Sequence, residues 1–287
     1  RGLATGVIEL SWAGSLLVAA PVAGIVLGLS YVTVPDSLMS GDFRFITDFE
    51  WRTTGLQAIF GLLAVSGALA FFITWWVVPA DHPASGAVLR IITPFDTLKI
   101  IRGNPAAMGA VAYSLLLSTA NEIFFINYGA WMELSFDLML AALGAVTVVI
   151  AAAEVIGEVS IIALADRIGK RRLALLGSGI SSACYLLLPL LDFSLIVALI
   201  GLFVMFLFVE IGIVASLPLF TEVLPESRAV MMSGVIGAAS GGRLLGAILG
   251  GAIYALSGDF VVMGGIAMLI GFGSFFMLWR FVPEAES

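Results

Sequence analysis

Charge is scarce in this chain. Asp, Glu, Lys and Arg make up 11% of its 287 residues, against about a quarter in a soluble domain. There is one cysteine, Cys184, and one histidine, His82. A lone cysteine forbids an intrachain disulfide, and the two residues are too few for a Cys/His metal cluster. Cys184 falls in an apolar stretch, where a buried inert thiol is expected. His82 stands in a polar stretch beside Pro83, where a surface imidazole is expected. No basic patch carries interleaved aromatics, so nucleic acid is not an expected partner. No metal-ligand spacing, Ser/His pair or cluster of catalytic polar residues is present, so neither an enzyme nor a cofactor is expected. Apolar residues fill the place of charge. They reach 61%, with a mean hydropathy of +1.12, where a soluble domain runs at about 45–50%.

A membrane-spanning helix needs about 20 mostly apolar residues. Eight segments qualify, roughly 6–30, 53–78, 106–128, 138–163, 173–191, 194–220, 229–256 and 260–282. Lipid offers no hydrogen bonds, so segments this apolar must satisfy their own backbone as helices. Spanning strands would instead show about ten residues of alternating polarity each. The predicted fold is therefore an all-α polytopic membrane protein with eight transmembrane helices. The charged stretch 166–172 carries one acid and four bases between two such spans. Lys and Arg resist translocation, which puts this stretch in the cytoplasm. Alternating outward from it, ten bases fall on the cytoplasmic side: Arg1, Arg90, Lys99, Arg102, Arg167, Lys170, Arg171, Arg172, Arg228 and Arg280. Two, Arg44 and Arg52, fall outside, and Arg243 lies within a span. Both ends of the chain are thus expected in the cytoplasm. Trp75, Trp76, Trp131 and Trp279 fall near span ends and read as interfacial anchors.

The longest cytoplasmic connection, 79–105, contains a weakly amphipathic piece from Leu89 to Ile101. It divides the chain into 1–78, with two spans, and 106–287, with six. The sequence starts at Arg1 rather than Met and shows no signal-peptide pattern. With the two-plus-six shape, this leads to the expectation that it begins inside a longer reading frame.

The run Leu164-Ala165-Asp166-Arg167-Ile168-Gly169-Lys170-Arg171-Arg172 resembles the signature cytoplasmic loop of the major facilitator superfamily of secondary transporters. Ala20-Pro21-Val22-Ala23-Gly24 resembles a degraded antiporter element of that family's fifth helix. Trp51-Arg52 resembles the entry to its sixth. Thr221-Glu222-Val223-Leu224-Pro225-Glu226-Ser227-Arg228 resembles its loop between helices ten and eleven. The resemblance covers nearly the whole chain. It implies a facilitator-type fold lacking the first four of twelve helices, and so a fragment whose N-terminal helices are missing partners. It implies a bacterial inner-membrane drug/proton antiporter, exporting small amphipathic molecules from a mid-membrane cavity by alternating access. The alternative from another class is a non-transporting receptor or assembly subunit on the same scaffold. Where the family's loop has a Gly four residues before the Asp, this chain has Ile162. The resemblance gives Asp166, Arg167, Gly169, Lys170 and Arg171 a gating role at the cytoplasmic face. An anion such as Asp166 can accept hydrogen bonds at a neighbouring helix N-terminus, and Gly169 allows the turn. A static topogenic anchor is the competing reading.

Ionisable residues inside spans are few and expensive, about 2.5–3.5 kcal/mol each on insertion scales. They are Glu122, Glu154, Glu158, Glu210 and Arg243. One guanidinium cannot neutralise four carboxylates. At least one Glu is left for which binding a proton costs less than holding a bare charge. Glu154 or Glu210, with Glu158 nearby and Arg243 as partner, is the expected proton-coupling set. The competing reading is a structural Glu–Arg pair. Thr147, Ala151, Glu154 and Glu158 share one helix face by their spacing. Ser114, Ser118, Asn121 and Glu122 form a second polar stripe. Glu210 stands alone amid Phe203, Phe206 and Phe208. The resemblance places Ser118, Asn121, Glu122 and Phe206 in the substrate cavity, although aromatics such as Phe206 also serve packing or face lipid. Ala238, Gly242, Gly246 and Gly250 recur every four residues, a row suited either to the interface between two bundles or to close static packing.

Overall fold

The computed structural model describes residues 49–77, 93–138 and 140–284. The expected span at 6–30 and its Ala20–Gly24 element lie outside the described residues, as does His82. The described residues form nine α-helices. They are α1 (Phe49–Val77), α2 (Pro94–Arg102), α3 (Pro105–Phe125), α4 (Tyr128–Phe136), α5 (Leu140–Ile168), α6 (Lys170–Leu187), α7 (Leu195–Val223), α8 (Arg228–Ser257) and α9 (Phe260–Phe281). A 3₁₀ turn, Leu188–Leu191, extends α6. No strand occurs among the described residues. Seven helical stretches are long and apolar enough to cross a bilayer. The chain is an integral membrane protein.

Polar residues at the joints fix where the helices start and stop. Thr93 and Asp96 form a reciprocal capping box at the head of α2, with Pro94 in its first turn. Asn104 Oδ1 accepts from the amides of Ala106 and Ala107 at 2.9 and 3.2 Å, starting α3 ahead of Pro105. Asp259 Oδ1 accepts from the Val261 amide at 2.6 Å to start α9. Such caps satisfy amide groups that the helix itself leaves open. The third expected span breaks at Ile126–Asn127. The chain there turns into the short helix α4, which ends at Asp137 in the left-handed region.

That break changes the role of Trp131. It is not an interfacial anchor. It is 1% exposed and packs edge-on to Phe124 and Phe136, each with ring centroids 6.1 Å apart. Beyond the break at Asn127, α4 carries the indole into the apolar cluster with Phe124, Tyr185 and Phe206. Trp75, Trp76 and Trp279 are exposed as anchors should be. The amphipathic piece expected from Leu89 to Ile101 forms a helix from Pro94. Its Ile101 is buried against Gly234 of α8, leaving Leu98 and Lys99 exposed.

From α3 onward the spans pack in a row. α8 lies on α3, α3 on α9, α9 on α6, α6 on α7, and α7 on α5. Lipid tails are as apolar as leucine, so close packing must hold such a row together. Glycines permit it. Gly177 of α6 meets the backbone of Gly212 of α7 directly. At that crossing the buried Tyr113 of α3 donates to the Gly212 carbonyl at 2.9 Å. Two apolar clusters fill the interior. One centres on Tyr113, Phe220, Met231 and Leu278, the other on Phe124, Trp131, Tyr185 and Phe206. Leu244, Ile248, Ile196 and Leu269 point outward and are exposed, as lipid-facing residues are.

The α3–α8 seam gives a direct test. A Cβ at Gly246 would stand 2.6 Å from the Thr119 carbonyl oxygen, whereas one at Gly251 would meet nothing within 4 Å. Gly246→Leu should force the helices apart and cost about 1–3 kcal/mol, with Gly251→Leu within about 0.5 kcal/mol of the parent. Thermal unfolding in detergent measures both. Equal melting temperatures for the two variants would show that the seam is not closely packed.

Candidate functional site

The glycine row of α8 positions one wall of the site. Gly242, Gly246 and Gly250 are buried and lie against α3. A Cβ at Gly242 would fall 3.0 Å from the Ser118 side chain, and one at Gly246 would fall 2.6 Å from Glu122 Cβ. One at Gly250 would fall 2.8 Å from Asn127 Nδ2. Of the two readings of this row, the geometry is that of close packing within the six-helix bundle. Arg243 follows Gly242 by one residue and is therefore turned about 100° away from the seam. It is exposed.

Arg243 forms no salt bridge with a described residue. Its charge acts on Glu122 of α3 and on Glu154 of α5. Three helices thus bring two carboxyl groups under the influence of one guanidinium. Glu122 and Glu154 are both half-buried. The Oε2 atom of Glu154 and the Oδ1 atom of Asn121 are shielded from solvent and accept no hydrogen bond. Buried acceptors without donors are uncommon in folded proteins.

The second wall is α5 with α7. Glu158 is 1% exposed. Glu210 of α7 does not stand apart among phenyl rings. Its Cβ and Cγ lie 3.0 and 3.2 Å from where a side chain on Gly157 would begin. Glu210 is thereby laid on the turn of α5 that carries Glu154 and Glu158. The sequence held one hint of this, the small Gly157 beside Glu158. The four acids and Arg243 thus come from four helices, α3, α5, α7 and α8.

Other expected cavity residues divide. Asn121 and Glu122 are half-buried on the α3 wall. Ser118 is 8% exposed at the α8 seam, and Phe206 is 2% exposed. Phe206 meets Phe125 edge-on at 5.8 Å, and Phe125 in turn lies 5.6 Å from Tyr128. The Tyr128 hydroxyl is 2.7 Å from Thr147 Oγ1, a hydrogen bond that ties α4 to α5. Sequence reasoning noted Thr147 on the Glu154 face and did not pair it with Tyr128. No group of three or more His, Cys, Asp or Glu suited to a metal occurs among the described residues.

The 166–172 stretch is scarcely a loop. Asp166 and Arg167 belong to the last turn of α5, and Lys170–Arg172 to the first turn of α6. Gly169 alone makes the corner, with φ of +93°, a value that side-chain-bearing residues rarely adopt. Lys170 Nζ donates to Glu222 Oε1 at 3.0 Å and pins α6 to the end of α7. Arg171 donates from Nε to the Val282 carbonyl and from Nη2 to the Trp279 carbonyl, each at 2.7 Å. Those carbonyls belong to the end of α9, where the helix lacks its own donors. The Glu284 carboxylate lies against Gly169, 2.5 Å from where a Cβ would be. Asp166 and Arg167 are exposed, and neither forms a hydrogen bond or ion pair with a described residue. Ile162, in the position of the family's Gly, is 49% exposed.

A row of six spans with ionisable residues on its inner walls and a basic corner at one end defines a class. The family model of the Major Facilitator Superfamily matches residues 115–287, more than half of the chain. The chain belongs to that superfamily. Among curated proteins, an uncharacterised MFS-type transporter of Bacillus subtilis (strain 168), YceJ, is similar. It is 22% identical over 227 residues, covering 79% of this chain and 56% of YceJ. The chain therefore spans little more than half the length of that relative.

Arg171 should matter more than its charged neighbours. Arg171→Ala removes two charge-assisted hydrogen bonds and should cost about 2–3 kcal/mol, whereas Arg171→Lys, which cannot donate as a fork, should recover less than half. Arg167→Ala should change stability by about 0.5 kcal/mol or less. Unfolding followed by tryptophan fluorescence in detergent distinguishes them. Equal effects of the Arg171 and Arg167 replacements would refute the cap on α9.

Proposed function

We propose that this chain belongs to a secondary active transporter that exports small amphipathic molecules in exchange for protons, by alternating access. The observation that carries the reading is that α3, α5 and α8 bring Glu122, Glu154 and Arg243 within electrostatic reach of one another without closing a salt bridge. Family membership supports transport, and the unsatisfied Glu154 Oε2 and Asn121 Oδ1 support a site that receives a ligand or a proton. The strong bias of bases to one side supports a bacterial inner membrane with both chain ends in the cytoplasm. In this reading the chain up to 78 belongs to an N-terminal bundle, 79–105 is the linker, and 106–287 is the C-terminal bundle. Four further helices complete a twelve-helix protein.

In this reading Arg243 can stabilise only one carboxylate at a time. When the bundles rock and Arg243 swings toward Glu122, Glu154 loses its counter-charge. A bare carboxylate there costs about 2.5–3.5 kcal/mol, so it takes a proton at Oε2. When Arg243 returns, the proton leaves. Glu158 and Glu210, on the same turn, form the path by which the proton reaches one face. Substrate lies along Asn121 and Glu122, on the aromatic shelf that Phe206 supports through Phe125. Asp166 and Arg167, exposed at the cytoplasmic corner, meet the opposite bundle when that side closes.

The test is flux by the full-length protein in proteoliposomes under an imposed pH gradient. Glu154→Gln should reduce gradient-driven export at least tenfold and leave substrate exchange without a gradient within twofold. Glu210→Gln should slow proton movement. Wild-type gradient-driven flux in both variants would overturn the coupling assignment. Failure of the full-length protein to move any compound from a broad amphipathic panel would overturn the transporter reading and favour a receptor or assembly role.

A further inference from the structure

One hydrogen bond, at the end of the bundle remote from the basic corner, has no part in the transport reading so far. The two polar faces of the candidate site lie on α3 and α5, which are not neighbours in the row of helices. On α3, Ser118, Asn121, Glu122 and Phe125 follow i, i+3, i+4 and i+7 and share one face. On α5, Thr147, Ala151 and Glu154 do the same. α7 bridges the two helices. Its Phe206 meets the Phe125 ring at 5.8 Å, and Glu210, one turn on, lies against Gly157 of α5. α5 runs towards the corner at Gly169, so Thr147 lies about 10 Å further from that corner than Glu154. α3 begins at the corner end, where Gly109 meets Phe281. Tyr128 lies just beyond its other end.

The break after α3 brings Tyr128 to Thr147. The Asn127 backbone N–H donates to the Phe124 carbonyl at 3.0 Å, only three residues back. That leaves the Ile123 carbonyl without its helical donor, and Asn127 Nδ2 donates to it instead at 2.9 Å. Gly250 of α8 makes room for this amide group, which lies 2.8 Å from where a Cβ would begin. α4 starts there, with the Trp131 N–H donating to the Asn127 carbonyl at 3.0 Å. The buried indole fixes how α4 sits, and Tyr128 faces α5. Its hydroxyl is 2.7 Å from Thr147 Oγ1. Thr147 has one hydroxyl proton and gives it to the Leu143 carbonyl at 3.0 Å, so Tyr128 is the donor. The Tyr128 ring lies 5.6 Å from Phe125. Phe206, Phe125, Tyr128 and Thr147 therefore form an unbroken line of contacts from α7 through α3 and α4 to α5.

We propose that this line seals the site at the end remote from the corner, with the Tyr128–Thr147 hydrogen bond as its closing contact. While the bond is formed, water and solutes do not reach Asn121, Glu122 and Glu154 from that end. The proposal deepens the transport reading and rests on it only for the use of the seal in flux. A hydrogen bond between two neutral hydroxyls suits a contact that is broken and remade, because its net worth is small. The remaining contacts in the line are between aromatic rings, which can slide without leaving a polar group unpaired.

The experiment is labelling of the full-length protein in proteoliposomes of uniform orientation. Asn121→Cys in a Cys184→Ser background is the probe, and a charged, impermeant methanethiosulfonate is added at the face remote from the corner. Tyr128→Phe leaves Thr147 bonded to Leu143 and should raise the labelling rate about fivefold, the worth of one hydrogen bond to an opening equilibrium. Thr147→Val should do the same, and the two together should be no faster than either alone. Thr147→Ser, which keeps the hydroxyl, should stay within twofold of the parent. Either single variant suffices if the other does not fold. Unchanged rates in Tyr128→Phe and Thr147→Val would overturn the seal. So would an equal rise in Thr147→Ser, or an equal rise with reagent at the opposite face, since both would show only a loosened bundle. Labelling needs no flux, so a protein that moves no compound would defeat the transport reading and leave the seal standing.

Discussion

The structure depends on helices approaching closely enough for backbone to meet backbone. In lipid, an isolated span loses nothing by facing acyl chains, so apolar surface alone cannot select a partner. Selection comes from contacts that only small residues permit. Gly242, Gly246 and Gly250 let α8 settle on α3, and Gly177 with Gly212 does the same for α6 and α7. Gly157 lets Glu210 reach α5. Two of these three seams also position an ionisable side chain. The first turns Arg243 off the α3 interface, and the third brings a carboxyl from α7 to the turn that holds Glu154 and Glu158. Packing and electrostatics are therefore one design in this bundle. A glycine replaced at a seam would displace a charge as well as a helix.

Hydrophobic length made the spans legible in the sequence, because the bilayer sets that length. Helix ends were legible within a few residues where Pro, Asn or Asp stood at them, as at Asn104–Pro105 and Asp259. What the sequence did not disclose was partnership. Periodicity assigns residues to faces and leaves open which helix each face meets. Glu210 looked isolated because its phenyl neighbours are close in sequence, while its contact, Gly157, is 53 positions away. Trp131 was misread for a related reason. Residues 126–136 are apolar enough to continue a helix. The turn at Ile126–Asn127 comes from local backbone geometry, and burial of Trp131 follows from it. The Asp166–Arg172 stretch was recognised as special by its charge. Its targets, the carbonyls at the end of α9, carry no signature because every residue has a carbonyl.

The cytoplasmic corner shows how a short charged sequence can serve two purposes at once. Gly169 reverses the chain in one residue, so the bases that follow start a helix rather than fill a loop. In the first turn of a helix, successive residues point about 100° apart. Lys170 therefore reaches α7, Arg171 reaches α9, and Arg172 faces outward. A flexible loop with the same composition would let all three compete for the same anions. Fixing them on a helix divides the work. Two bases lock neighbouring helices, and the third is left exposed. Asp166 and Arg167, on the α5 side of the corner, are likewise left facing outward. The residues that hold the bundle rigid are thus separate from those left exposed. A bundle that rocks as a body requires that separation, because a base that both braced its own bundle and gripped the other would resist every change of state.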